Sequence, residues 1–417
     1  MEKIGKVVNN ISVKIIKTDK FKTISGGLFF KSPITKEKMT IRNLLGKCMI
    51  YSCEKYKTNE ELNKYCLEKY DPFFASDFGR TGNYYINTFL FSSINDKYID
   101  DFVIDDVIDL FCEIVFNPNV KNEMFDKKTF ELQKQRFGAE IDALKENPKS
   151  YAKKKLVKIM DETKPYSFTS SREVLDKITS KDLYNEYLDL VNNSEIELVL
   201  VGDFDFDKVA NTVTSHIQKS TKYNESFFVS NGLVKKVKDE KETFDSKQSI
   251  LAVGLKTEEL SDFERSYVVP FYNNILGGGP SSRLFQIIRE ENSLAYFSSS
   301  SYQKSDGIIE IISGINRKDY DKAYDLIKGI IGNMVKVDQK EVDRCRKELY
   351  FVLKEMEDYK FRLIDLTYFQ TAFNEPEIDE KIANFNKVTV KDIEDVSKKV
   401  KLDSAFFLEG GQTDEEN

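Results

Sequence analysis

Two distant segments of the chain follow the same pattern. TSKDLYNEYLDLVNNSEIELVLVGDF begins at Thr179, and TVKDIEDVSKKVKLDSAFFLEGG begins at Thr389. Each opens with Thr-x-Lys-Asp, which is typical of a helix start, and each runs into an apolar strand that ends in glycine. Duplication of one structural unit explains this echo better than chance similarity does. The repeat therefore predicts an α+β fold made of two homologous domains.

The remaining periodicity supports two halves with one plan. In the first half, alternating runs at 11–17 and 23–30 predict neighbouring strands, a helix follows from about Lys38, and a second pair of strands flanks a turn at Thr81-Gly82. From about residue 249 the chain repeats the order of strand, helices, two strands and further helices. We therefore expect each domain to be a mostly antiparallel sheet packed with helices.

A polar and highly charged segment, 220–248, divides the chain almost evenly. Its residues show neither helical nor strand spacing, which favours a connector. A chain of 417 residues is long enough for two domains of ordinary size. We expect an N-terminal domain over 1–219, a charged linker over 220–248 and a C-terminal domain over 249–417.

Charge and residue usage exclude several classes of function. The 63 basic and 70 acidic residues are spread along the chain with a net charge of −7, so no basic stripe attracts nucleic acid. No stretch approaches the roughly 18 apolar residues of a membrane helix, and the N-terminal segment lacks a signal-peptide core, which favours a soluble, cytoplasmic protein. The 5 cysteines form no C-x-x-C pair and are expected to be reduced core thiols. The chain has a single histidine, His216, which excludes any mechanism that requires two histidines.

The stretch LGGGPSSRLFQIIREENSLAYFSSSSYQ, 276–303, is the most informative motif. Its glycines lead into Pro-Ser-Ser rather than the Lys-Ser or Lys-Thr of a phosphate-binding loop, which excludes that interpretation. We expect instead that Gly277, Gly278 and Gly279 let the chain leave a helix in a left-handed conformation. Ser281 is then expected to cap the next helix.

Arg289 and Tyr296 are the candidate binding residues of this stretch. Arg289 is predicted at the end of a helix, and Tyr296, seven positions further on, lies on the first strand of a hairpin. A guanidinium and a phenol can both donate hydrogen bonds to a peptide carbonyl or an oxyanion. The residues alone leave a surface salt bridge for Arg289 and core packing for Tyr296 as alternatives.

Taken together, these features resemble the pitrilysin/insulinase superfamily of zinc peptidases, M16, and within it the processing-peptidase branch, M16B. The resemblance rests on the block 276–303, the two α+β halves, the charged connector and strands such as ELVLVGDF, and it spans essentially the whole chain. It implies the LuxS/MPP-like metallohydrolase fold. It also implies that Arg289 and Tyr296 contact a peptide substrate, because family members use an Arg and a Tyr at this spacing near the scissile carbonyl.

The zinc-binding motif of the family is degenerate in this chain. Active members carry His-x-x-Glu-His on the first helix after the first strands and a further Glu on a later long helix. By position, Leu44 and Cys48 replace the two histidines and Lys47 replaces the catalytic glutamate, while Glu140 is expected to keep the third-ligand place. Zinc catalysis needs about three protein ligands and an open coordination position. We therefore expect this chain to bind no metal and to contribute no catalytic residue.

The resemblance also implies a partner. In the heterodimeric branch of the family, one subunit holds the zinc ion and the other, which has lost the motif, supplies the Arg/Tyr pair. We expect this chain to be such a non-catalytic, substrate-binding subunit, with a homologous His-x-x-Glu-His partner that binds zinc and with a peptide substrate between them. Nucleic-acid and membrane partners are not expected. An inactive scaffold without a role in proteolysis, like core subunits of the respiratory cytochrome complex, and a self-sufficient homodimer are the alternatives.

Overall fold

The computed structural model describes residues 1–246 and 248–411, apart from the side chain of Lys145. Residues 412–417 of the expected C-terminal domain therefore lie outside the described part. Its strands are β1 Glu2–Val8, β2 Ile11–Lys17, β3 Thr23–Pro33, β4 Phe73–Thr81, β5 Tyr84–Ile94, β6 Val120–Lys121, β7 Met124–Phe125, β8 Glu195–Gly202, β9 Lys238–Phe244, β10 Ser249–Thr257, β11 Ala295–Gln303, β12 Ile308–Ile315 and β13 Val400–Gly410.

Helices account for most of the remaining chain. The α-helices are α1 Lys38–Met49, α2 Asn59–Glu68, α3 Ile104–Phe116, α4 Lys127–Glu146, α5 Pro148–Asp161, α6 Arg172–Lys177, α7 Ser180–Asn193, α8 Phe206–Ser215, α9 Val269–Gly277, α10 Tyr320–Asn333, α11 Gln339–Met356, α12 Lys360–Ala372, α13 Ile378–Phe385 and α14 Val390–Ser397. Glu264–Val268 and Leu284–Glu291 are wound as π-helices. Among the described residues, no helix combines the length and the apolar composition needed to cross a bilayer.

The chain forms two compact units. Unit 1 comprises Met1–Ile141, Thr169–Phe227 and Glu355–Glu375, and unit 2 comprises Asp142–Phe168, Phe228–Lys354 and the residues from Pro376 onward. Helix α5 therefore belongs to unit 2, although it precedes the charged connector, and helix α12 belongs to unit 1, although it follows it. The chain passes between the units more often than a single connector requires.

The sheets of the two units have the same topology. The sheet of unit 1 has the order β1-β2-β8-β3-β5-β4, and the sheet of unit 2 has the order β9-β13-β10-β12-β11. In each, one parallel pair, β2 with β8 or β9 with β13, is followed by antiparallel pairs. Apart from the extra edge strand β1, the second sheet repeats the first. The predicted mixture of two α+β halves with mostly antiparallel sheets is confirmed.

Each sheet is covered on both faces by apolar packing. In unit 1, helices α1, α3, α7 and α8 contribute to a large core on one face, and α12 buries Leu363, Ile364 and Tyr368 against the other face. In unit 2, α5 buries Leu156 and Met160 against strands β10, β12 and β13. Burying such side chains contributes about 1.5–3 kcal/mol each. The exchanged helices α5 and α12 are thus part of the cores.

The predicted helix starts at Thr179 and Thr389 and the predicted turn at Gly82 are confirmed. Thr179 and Thr389 form capping boxes with Asp182 and Asp392, and Gly82 has a positive φ in the turn between β4 and β5. These contacts close within three residues, so sequence alone determines them.

Two structural predictions were wrong. Strands β2 and β3 are not neighbours, because β8 lies between them. The connector 220–248 is not wholly irregular, because Lys238–Phe244 pairs with β13 as an exposed edge strand. Helix α4 ends at Glu146 and a new helix, α5, begins at Pro148, because Pro is tolerated at the first helical position and the Asn147 side chain accepts a hydrogen bond from the Ser150 N–H.

Candidate functional site

Helix α1 carries Leu44, Lys47 and Cys48, the residues that the family resemblance aligns with the zinc motif. Leu44 and Cys48 are one turn apart, so they lie on the same face of the helix, and both are buried in the main core of unit 1. Lys47 lies on the flank of that face, with 29% of its side chain exposed. The helix therefore directs its two substituted ligand positions into an apolar core.

Lys47 and Glu140 are brought together as an ion pair. The Nζ atom of Lys47 donates to Oε2 of Glu140 at 2.8 Å, and the ammonium also lies 5.2 Å from the centre of the Phe137 ring, about one turn earlier on α4. The Glu140 side chain is 55% exposed. The Glu140 carboxylate, which was expected at the third-ligand place, is thus neutralised by Lys47, which was expected at the place of the catalytic glutamate.

This set of side chains does not fit a zinc ion. Leu44 has no donor atom, and Lys47 adds a positive charge. Burial raises the pKa of the Cys48 thiol far above its usual value, whereas zinc binds the thiolate. Among residues 1–246 and 248–411, no group of three His, Cys, Asp or Glu side chains is placed to hold a metal ion.

Arg289 lies in the last turn of the π-helix Leu284–Glu291 in unit 2. Its guanidinium lies 4.6 Å from the Phe285 ring, and its Nε atom is 3.4 Å from Oε1 of the adjacent Glu290. The side chain is 45% exposed. A solvated pair between neighbouring residues contributes at most about 1 kcal/mol. The surface salt bridge of Arg289 with Glu290 is therefore weak, and it leaves the guanidinium able to bind an external ligand.

Tyr296 lies near the start of β11, which is an edge strand of the sheet in unit 2. The pairing with β12 shifts between Ala295 and Phe297, so Tyr296 is the extra residue of a β-bulge. Bulges re-aim side chains, and the Tyr296 residue is 67% exposed. In the described part of the chain its hydroxyl forms no hydrogen bond and its ring forms no aromatic or cation–π contact. Core packing of Tyr296 is therefore not observed.

The glycines before this helix have a different role from the predicted one. None of Gly277, Gly278 and Gly279 has a positive φ, so the prediction of a left-handed exit was wrong. A Cβ atom on Gly277 would lie 2.5 Å from the backbone nitrogen of Ser300. Glycine is needed because α9 packs directly against β11, the strand that carries Tyr296.

The predicted cap at Ser281 was also wrong by one residue. The Ser282 hydroxyl donates to the Gly279 carbonyl at 2.6 Å and accepts from the Phe285 N–H at 3.5 Å. Two consecutive serines satisfy the same sequence pattern, so the backbone path alone decides which one caps the helix.

Arg283 anchors the start of the helix that carries Arg289, a role that sequence reasoning missed. Its guanidinium donates to both carboxylate oxygens of Glu341, at 2.9 and 2.7 Å, and to the carbonyls of Asn333 and Lys336 at 2.9 and 2.7 Å. The side chain is 17% exposed. Its partners are distant in sequence, so the only available signal was an arginine beside a serine cap.

The arrangement in unit 2 offers two hydrogen-bond donors to a ligand. Arg289 and Tyr296 lie on consecutive elements, and both present hydrogen-bond donors to solvent without a strong internal partner. Such donors fit carbonyl oxygens or a developing negative charge.

The chain is similar in sequence to a family model and to a curated bacterial protein. Residues 177–349 match the family model described as Peptidase M16 inactive domain. The chain is 27% identical over 412 residues, 96% of this chain and 96% of the relative, to the probable inactive metalloprotease YmfF of Bacillus subtilis (strain 168).

Two solved structures are similar in fold. A conserved protein from Enterococcus faecalis V583 has a TM-score of 0.89 at 23% identity, covering 99% of this chain and 100% of that one. A peptidase M16 inactive domain from Pseudomonas fluorescens has a TM-score of 0.81 at 16% identity, covering 99% of each.

Proposed function

We propose that the chain is an inactive member of the M16 peptidase superfamily, which its likeness to the family model and to the Bacillus subtilis relative supports, and that it is the non-catalytic, substrate-binding subunit of a heterodimeric zinc peptidase of the M16B type. In this proposal its partner is a homologous chain that carries His-x-x-Glu-His and binds the zinc ion. The peptide substrate lies between the two chains. Cleavage then takes place only in the complex.

The observation that carries this proposal is the exposure of Tyr296 on a β-bulge directly after the helix of Arg289. An exposed phenol without a partner adds little to stability, so a binding role explains its placement better than a structural one. Hydrogen bonds from such donors to a charged oxygen contribute about 1.5–3 kcal/mol each. Donors that act on the developing oxyanion of an amide hydrolysis are worth about 10²–10³-fold in rate.

The state of unit 1 supports assigning the metal to the partner. Glu140 is already paired with Lys47, and Cys48 is a buried thiol. A cytoplasmic location is part of the proposal, because all 5 cysteines are free and buried, as is usual in a reducing compartment.

The test is turnover by the reconstituted complex. We expect Arg289→Ala and Tyr296→Phe each to lower kcat/KM by about 10²-fold, because each removes a donor to the reacting peptide group. Arg317→Ala and Tyr350→Phe are matched controls, since they change the same residue types at exposed positions of unit 2. Size-exclusion chromatography checks that every variant still assembles.

Full turnover by both Arg289→Ala and Tyr296→Phe in an assembled complex would show that neither residue contacts the reacting peptide. In that case the scaffold interpretation would replace the proposal.

A further inference from the structure

An open cavity of about 590 Å³ lies in unit 1, between the loop that joins β2 to β3 and the first turn of α12. Four of the side chains that line it are cationic, Lys20, Lys22, Lys360 and Arg362, and one is anionic, Asp358. The chain as a whole has a net charge of −7. The cavity therefore concentrates positive charge on an acidic protein.

Only one of the four cations is balanced by a carboxylate. Lys20 forms an ion pair with Asp358. Lys360 donates to two neutral hydroxyls, Thr23 Oγ1 at 3.0 Å and Ser92 Oγ at 2.6 Å. These hydroxyls hold the ammonium in place without neutralising it, and its partial burial lowers the pKa of Lys360.

The other two cations contact aromatic rings. The Lys22 ammonium lies 6.0 Å from the centre of the Tyr98 ring, and the Arg362 guanidinium lies 4.9 Å from the centre of the Tyr359 ring. Neither forms an ion pair with a carboxylate of residues 1–246 or 248–411. Three cations without a carboxylate partner therefore line one cavity, and their combined positive charge favours an external anion there.

Apolar rings line the same cavity. Phe21 and Phe361 both contribute to its wall, and Phe361 packs against Phe73 with ring centres 5.4 Å apart. An inorganic anion would leave these rings in water. A polypeptide segment that carries both carboxylates and apolar side chains would contact the rings and the cations together.

We infer that this cavity binds an acidic segment of a peptide whose carboxylates contact Lys22, Lys360 and Arg362 and whose apolar side chains pack on Phe21 and Phe361. The inference deepens the proposed function, since it names acidic peptides as the substrate class, and it rests on that function for the fate of the bound peptide. The binding itself is a property of this chain.

The test is fluorescence anisotropy of the isolated full chain with a labelled hexapeptide, Glu-Phe-Glu-Glu-Phe-Glu, at low salt. We expect saturable binding that weakens as salt is added. The same peptide with Gln in place of each Glu should bind at least about tenfold more weakly, because charge-assisted hydrogen bonds are lost.

Variants of the cavity should change the affinity in opposite directions. Lys360→Met and Arg362→Gln are each expected to raise Kd about tenfold, because each removes an unbalanced cation. Asp358→Asn should lower Kd several-fold, because it frees Lys20. Lys64→Gln, an exposed lysine of α2 outside the cavity, is the matched control and should leave Kd unchanged. Thermal unfolding confirms that each variant is folded.

Equal affinity for the Glu and Gln peptides, or equal effects of Lys360→Met and Lys64→Gln, would overturn the inference. So would binding of inorganic phosphate without binding of the peptide, since that result identifies a simple anion site. These measurements need neither the partner nor turnover, so their failure is distinguishable from a failure of the proposed function.

Discussion

Units 1 and 2 share one strand order but differ in how they treat the polar groups of their candidate sites. In unit 1, Leu44 and Cys48 are buried, and Lys47 and Glu140 neutralise each other. In unit 2, Arg289 and Tyr296 remain exposed and are available to bind a ligand. The comparison indicates that the two units diverged after duplication. We call the buried and neutralised set Leu44, Lys47, Cys48 and Glu140 the closed site, and the exposed pair Arg289 and Tyr296 the open site.

The difference has a physical consequence for mutations. Changes at the closed site alter buried contacts, so they affect folding, whereas changes at the open site remove few internal contacts, so they affect binding. The two units can therefore be tested by separate measurements of stability and of function.

The largest expected effect comes from rebuilding the motif in unit 1. Leu44→His, Lys47→Glu and Cys48→His together place two imidazoles in an apolar core, and we expect the free energy of unfolding to fall by about 3–5 kcal/mol without metal. Added zinc should restore part of this loss, because it binds the new imidazoles with Glu140. Thermal unfolding with and without zinc measures both effects.

Wild-type protein and the single variant Cys48→His are the controls for the rebuilt motif, and neither should be stabilised by zinc. A rebuilt variant that loses stability but gains nothing from zinc would show that these positions and Glu140 do not share a site.

An intermediate effect is expected at the anchor of the helix in unit 2. Arg283→Met removes the bidentate pair with Glu341 and should cost about 2–3 kcal/mol at neutral pH. Burial acts to raise the pKa of Glu341, but the hydrogen bonds from Arg283 and from the Asp338 N–H lower it overall. A carboxyl whose pKa is lowered by folding stabilises the protein above its unfolded pKa of about 4.3 and loses that contribution as the pH falls.

The stability difference between wild type and Arg283→Met should therefore shrink as the pH falls from 7 to about 3. Urea unfolding across this range measures it. A difference that stays constant or grows at low pH would contradict the assigned role of the Arg283–Glu341 pair.

The smallest effect is expected for the pair that closes the site in unit 1. Lys47→Met, Glu140→Gln and the double variant form a cycle, and its coupling energy should be about 1 kcal/mol or less, because the pair is partly exposed. Urea unfolding at low and high salt provides the values, and salt should reduce the coupling. A coupling above about 2 kcal/mol would mean that the pair is a principal support of unit 1.

The parts of the fold that sequence reasoning predicted depend on short-range contacts. The capping boxes at Thr179 and Thr389 and the turn at Gly82 involve residues within a few positions of each other. The exchange of α5 and α12 between the units depends on packing across the whole chain, which periodicity does not encode.

In the candidate sites, too, the features that depend on long-range contacts were not predicted from the sequence. Arg289 and Tyr296 were candidates from the residues alone, and it was the resemblance to the peptidase family that implied their substrate role and the degenerate motif positions. The ion pair of Lys47 with Glu140 and the bulge at Tyr296 were not predicted, because they depend on contact between distant helices and on strand register. These two details are what distinguish the closed site from the open one.

Photo-crosslinking tests the central claim, that the open site of unit 2 contacts bound peptide, most directly. Benzoylphenylalanine in place of Tyr296 in the reconstituted complex should crosslink to a labelled peptide substrate, whereas the same group in place of Tyr350 should not. Absence of a crosslink from position 296, or equal crosslinking from both positions, would contradict the account.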